Sequence, residues 1–107
     1  MLALNNACFF NDVGMDALCS AHFLQVLELV KCQDVTEEGI QHVVNFPSLT
    51  TLKLYKCLGL SDAGLKPLVG SGKLDSLVVE ECPLISENGV QGAAKYVSYR
   101  QDFSWMN

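Results

Sequence analysis

Residues 49–69 read LTTLKLYKCLGLSDAGLKPLV, and two periodicities meet inside them. Leu52 and Leu54 alternate with Thr51, Lys53 and Tyr55, the period of two expected of a short strand with one buried face. Leu65, Leu68 and Val69 then recur at three and four, the spacing of an apolar helix face. Between the two lie Cys57, Leu60, Ser61 and Asp62. Ser61 is placed to cap the orphan amides at a helix start, and Asp62 to complement its positive end. Pro67 is the local misfit, because beyond the first helical turn its missing N–H loosens a hydrogen bond. Gly70 and Gly72 follow soon after, so a short helix that ends early is expected.

The same unit recurs every 25 residues. Cys32, Cys57 and Cys82 form one column, and Gly14, Gly39, Gly64 and Gly89 another. Leu24, Leu49 and Leu74 keep the register, as do Leu2, Leu27, Leu52 and Leu77, and Leu4, Leu29, Leu54 and Val79. Ile40, Val43 and Val44 repeat the helix-face spacing. Asn11, Thr36, Ser61 and Ser86 stand at the capping position, each followed by an acid, Asp12, Glu37, Asp62 or Glu87. Each unit is thus strand, turn, helix and return loop. One such unit cannot bury its own apolar edge, so neighbours must stack. The expected fold is a single α/β domain, a right-handed solenoid of about four repeats (1–23, 24–48, 49–73 and 74–97). Parallel strands should line its concave face and helices its convex face.

Both ends depart from the pattern. In strict register Ala7 takes the cysteine column and Cys8 falls one place late. At the other end, 25 residues beyond Leu77 and Val79 lie Asp102 and Ser104, poor core residues. A one-residue insertion puts Phe103 and Trp105 in the leucine columns instead. The expectation is a C-terminal cap over 98–107, with Phe103 and Trp105 on a terminal strand that covers the open end of the core.

Half of the 107 residues are apolar, enough to build a buried core and too many for a disordered tail. Seven Lys+Arg against 12 Asp+Glu give a formal charge of −5, which disfavours nucleic acid and anionic membranes as partners. No apolar run approaches the roughly 18 residues of a membrane span. The opening stretch has no basic region ahead of an apolar segment, so no signal peptide is expected. Five cysteines, Cys8, Cys19, Cys32, Cys57 and Cys82, then point to a reducing compartment, cytoplasm or nucleus, and the odd number argues against a full disulfide framework.

These columns resemble the cysteine-containing leucine-rich-repeat class, over roughly residues 2 to 97. That class is typical of the substrate-receptor end of F-box proteins and of antagonist-of-mitotic-exit-like proteins. The closing stretch VSYRQDFSWMN, 97–107, is similar to the C-terminal ending of certain plant F-box leucine-rich-repeat proteins. The resemblance implies a receptor that holds a target while another subunit transfers ubiquitin. It also implies an F-box upstream of the repeats. Repeat sequence begins here at Met1, so the expectation is either the tail of a longer receptor or a short relative without the ligase-coupling half. A ubiquitin-ligase adaptor is expected as a partner only where an upstream F-box exists.

Among candidate sites, the cysteine column comes first. Thiols at a 25-residue interval stack about one strand spacing apart, roughly 5 Å, whereas zinc wants close pairs converging on one point. Buried thiols filling niches at the strand-to-helix turn, donating weakly to backbone carbonyls, fit better. The glycines belong to no phosphate-loop motif and fit close packing against the neighbouring repeat. His22 and His42 fall at the backs of the first two helices, as solvated or edge residues. No nucleophile elbow or metalloprotease motif is present, so neither catalysis nor a cofactor is expected.

The concave face is the binding candidate. Its outward residues are Val26, Glu28 and Val30, then Thr51, Lys53 and Tyr55, then Ser76, Val78 and Glu80. Mixed character around a central tyrosine suits recognition of a target protein. The same residues also fit a solvated strand face with Glu28 and Lys53 paired. The expected function is protein binding within a ubiquitin-ligase receptor. An assembly factor that docks in a larger complex, with no ubiquitin role, is the alternative. A non-functional truncated product, aggregating through its Leu2 edge, is a further one.

Overall fold

The computed structural model describes residues 2–5, 11–18 and 20–101, the first four as backbone alone. It is an α/β structure. Five strands, β1 (Leu2–Asn5), β2 (Val26–Val30), β3 (Thr51–Tyr55), β4 (Leu74–Glu80) and β5 (Ala94–Arg100), form one sheet in consecutive order. All four pairings are parallel. Helices α1 (Asp12–Leu18), α2 (Glu37–Gln41), α3 (Asp62–Leu65) and α4 (Glu87–Val90) fill the crossovers, each packed against the next. A 3₁₀ turn, His42–Asn45, extends α2. Among the described residues no helix is long and apolar enough to cross a membrane.

The pairing keeps the sequence columns together. Leu2, Leu27, Leu52 and Leu77 lie side by side across the sheet, and so do Leu4, Leu29, Leu54 and Val79. From β2 to β4 both columns are fully buried, facing the helices. Behind them a second apolar layer, Val35, Leu60 and Ile85, is buried at the same interval. Phe46, in the loop after the 3₁₀ turn, is also fully buried and belongs to no repeated column. Its carbonyl accepts a hydrogen bond from Lys73 Nζ.

The final unit corrects the sequence register. β5 pairs with β4 at an offset of 20 residues, Leu77 with Val97 and Val79 with Tyr99. The leucine columns therefore continue into Val97 and Tyr99, not into Phe103 and Trp105, which lie outside the described residues together with the rest of 102–107. The cause is local: α4 stops at Val90, Gly92 turns the chain at φ +82°, and Ala93 is already buried as the strand begins. No return loop is needed. The Tyr99 hydroxyl then donates to Ile85 O at 2.6 Å, and Gln101 Nε2 reaches Cys82 O at 2.7 Å, tying the strand end to the preceding turn.

Two further expectations are corrected. Val44 and Val69, assigned to apolar helix faces, are exposed: α2 tightens into the 3₁₀ turn at His42, which changes the periodicity at Val44, and α3 ends at Leu65, before Val69. Helix α3 does end ahead of Pro67. The caps also differ from expectation. Asn11 and Ser86 cap through their side chains, to Gly14 N and Gly89 N, but Thr36 and Ser61 do not. Thr36 instead donates both its N–H and its hydroxyl to the Asp12 carboxylate, at 2.7 and 2.5 Å. Ser86 does the same to Asp62, at 2.7 Å each. The aspartates thus clamp one unit to the next, beyond complementing their own helix.

The glycine column makes room for these clamps. A Cβ on Gly89 would fall 2.0 Å from Asp62 Oδ1, and one on Gly39 2.4 Å from Asp12 Oδ1. At Gly64, where Glu37 holds the acid position, the nearest atoms are at 3.3 Å. Gly89→Ala is therefore expected to displace the Asp62 carboxylate and lose two charge-assisted hydrogen bonds, about 2–4 kcal/mol. Gly64→Ala should cost less than about 1 kcal/mol, since helix propensity offsets a mild crowding. Urea unfolding checks both: the Gly89→Ala midpoint should fall clearly below that of Gly64→Ala at unchanged slope.

Candidate functional site: the open face of the sheet

Strand pleating sends alternate residues to opposite faces, and burial of the leucine columns leaves the other face of the sheet open. All nine residues singled out in the sequence lie on it and are half-buried. Register aligns them in three rows: Val26–Thr51–Ser76, Glu28–Lys53–Val78 and Val30–Tyr55–Glu80. The fifth strand extends each row, with Tyr96, Ser98 and Arg100 respectively. These three were missed because the 25-residue period steps past them. An alternating reading of 94–100 was the available signal, and Tyr96 is the most exposed aromatic described on this face, at 74%.

Tyr55 occupies the middle strand. Its phenol pKa is raised above 10.0, first by partial burial and then by the charges of Glu28 and Glu80. Arg100 lies 3.9 Å from Glu80. Glu28 and Lys53 are register partners, yet they do not appear among the ion pairs of the described residues, so the solvated-pair alternative lacks its contact. Just past the last outward residue of three strands, Lys31, Lys56 and Glu81 adopt φ of 59°, 54° and 58°. Their N–H groups donate to Tyr55 O, Glu80 O and Arg100 O. Lys56 and Glu81 also pair, at 3.6 Å.

The cysteine column is structural in its surroundings. Cys32, Cys57 and Cys82 are buried thiols. Cys57 Sγ donates to Leu29 O at 3.5 Å and Cys82 Sγ to Leu54 O at 3.7 Å, while Cys32 Sγ meets Val30 O at 3.7 Å. The Cys57 thiol is held above the usual range, first by its hydrogen bond with the Cys82 side chain and then by burial. The same hydrogen bond draws the Cys82 thiol the other way, so the shift belongs to the pair. Among the described residues no three His, Cys, Asp or Glu groups are placed to hold a metal ion. Cys8 and Cys19 lie outside the described residues.

The histidines stand away from the open face. His22 is exposed, and its carbonyl accepts from Ser48 Oγ at 2.6 Å. His42 lies 3.5 Å from Asp16 in a shallow groove between α1 and α2, lined also by Asp12, Val13 and Glu38. The three rows of the open face contain no histidine and no cysteine. What they offer is a mixed apolar, aromatic and charged surface, suited to recognition.

The chain matches no protein-family model.

The electrostatics of the face are open to measurement. With the Tyr55 pKa above 10.0 in the folded state, its contribution to stability is present below that pH and lost as pH rises through the folded value. Replacing Glu28 or Glu80 by Gln should lower the Tyr55 pKa toward that of a free phenol, read from ring-carbon chemical shifts across a pH titration. Unchanged titration in both variants would show that the carboxylates do not face the ring.

Proposed function

We propose that the chain is a cysteine-containing leucine-rich-repeat solenoid of about four units, whose open sheet face is the concave surface that holds another protein. The observation that carries this reading is the alignment of the outward residues in three rows, centred on Tyr55. A half-buried face with a central aromatic, beside a row of valine, threonine and serine, has the composition of a protein interface core and rim. The buried thiols are consistent with a reducing compartment, cytoplasm or nucleus. By the resemblance stated above, the module serves as the substrate-recognition part of an F-box-type ubiquitin-ligase receptor, or of a truncated relative. Adaptor binding would then belong to an F-box upstream, and the repeats themselves catalyse nothing.

Two measurements test this. Endogenous protein captured through this segment should bring down a cullin-ligase adaptor together with a target that accumulates when the protein is depleted. Capture of a stable complex with no adaptor and no accumulating member would favour the assembly-factor alternative. For the face itself, Tyr55→Ala should weaken binding of the captured target by about 5–30-fold, the 1–2 kcal/mol of a recognition hot spot. Lys66→Ala, exposed on the helix side, should leave it unchanged. Equal affinity of Tyr55→Ala and the parent would remove the open face as the binding surface.

A further inference from the structure

Tyr55 lies between two carboxylates on the open face. Glu80 is its register partner on β4, and Glu28 lies diagonally across on β2, opposite Lys53. All three side chains are half-buried. The phenol pKa is raised, by partial burial first and then by these two carboxylates, in keeping with that placement. Neither is well neutralised. The nearest cation to Glu80 is Arg100, 3.9 Å away on a side chain that is 76% exposed. Glu28 takes part in none of the ion pairs among the described residues. Lys53, the register partner of Glu28, makes no ion pair with it.

An aromatic ring bordered by carboxylates attracts a cation in two ways. The ring face offers its quadrupole, and the carboxylates accept charge-assisted hydrogen bonds. We infer, on the reading that this face holds a protein, that the partner presents a lysine or arginine side chain to Tyr55, between Glu28 and Glu80. An acidic or purely apolar segment docked there would strip water from Glu28 without supplying a counter-charge, a large penalty. The face thus selects by repulsion as well as attraction.

Nuclear magnetic resonance of the whole chain tests this with blocked tripeptides at low ionic strength, glycine flanking a central lysine, arginine, leucine or glutamate. The lysine and arginine peptides should cause saturable shifts in Thr51–Tyr55 and in Val30 and Glu80, weakened by added salt. Glu28→Gln or Glu80→Gln should reduce that affinity by about threefold or more, as loss of one contact to an exposed cation does. Preserved spectra elsewhere would show that the variants still fold. Equal shifts from the leucine or glutamate peptide, or unchanged affinity in both variants, would overturn the cationic preference while leaving the face able to bind protein. A face silent to every peptide overturns the inference as well; with target capture also indifferent to Tyr55→Ala, the binding reading fails with it.

Discussion

Complete burial of Leu27, Leu29, Leu52, Leu54, Leu77 and Val79 on one side of a parallel sheet sets the register of everything else. Side chains alternate with period two, so a slip of one residue between neighbouring strands would bring every leucine of one strand to the open face. Each such exposure forfeits about 1.5–3 kcal/mol. Surface ion pairs such as Lys95–Asp75 contribute roughly 0–1 kcal/mol and cannot compete. The helices depend on the same burial. At four to seven residues they are far below the roughly 12–15 at which an isolated helix holds in water. Ile40, Leu65 and Val90, all buried, fasten α2, α3 and α4 to the sheet, and without that packing those turns would not persist.

A second constraint locks the crossovers together. The aspartate clamps need a carboxylate in the first helical turn, a hydroxyl residue 24 positions later and a glycine three beyond that. All three conditions hold from Asp12 to Thr36 and Gly39, and from Asp62 to Ser86 and Gly89. Between them, Glu37 is one methylene too long to occupy the same cradle. Its backbone and Cβ pack on Gly64 instead. The glycine is therefore kept small for two different neighbours, a carboxylate at Gly39 and Gly89 and a chain segment at Gly64 between them.

Features that recur along the chain were legible in the sequence, because several columns at one interval constrain each other. The strands, their parallel order and the nine outward residues follow from that interval. What occurs once was not legible. The last strand begins early because α4 is cut short, and extrapolating the period stepped over Tyr96, Val97 and Tyr99 to Phe103 and Trp105. Val44 has the spacing of an α-helix but sits in the tighter 3₁₀ turn after α2, and Val69 lies past the end of α3. The aspartates were ambiguous in another way. A carboxylate at a helix start can serve its own amides or the next unit, and only the distance between units decides. The absent Glu28–Lys53 contact is of the same kind, since register brings strands together but does not join side chains.

The positions just past β2, β3 and β4 hold a backbone conformation that glycine adopts most readily. Lys31, Lys56 and Glu81 hold left-handed backbone that costs a non-glycine residue about 1–2 kcal/mol. Glycine would fit without that cost, and the chain uses glycine freely at Gly70, Gly72 and Gly92, where φ is also positive. The turn does not need the side chain for its hydrogen bond, because the N–H donates to the next strand whatever the residue. Lys56 and Glu81 offset part of that strain through their ion pair, worth roughly 0–1 kcal/mol. What the strain secures is continuity of the sheet, because each of these N–H groups adds one more rung between neighbouring strands beyond the last outward residue.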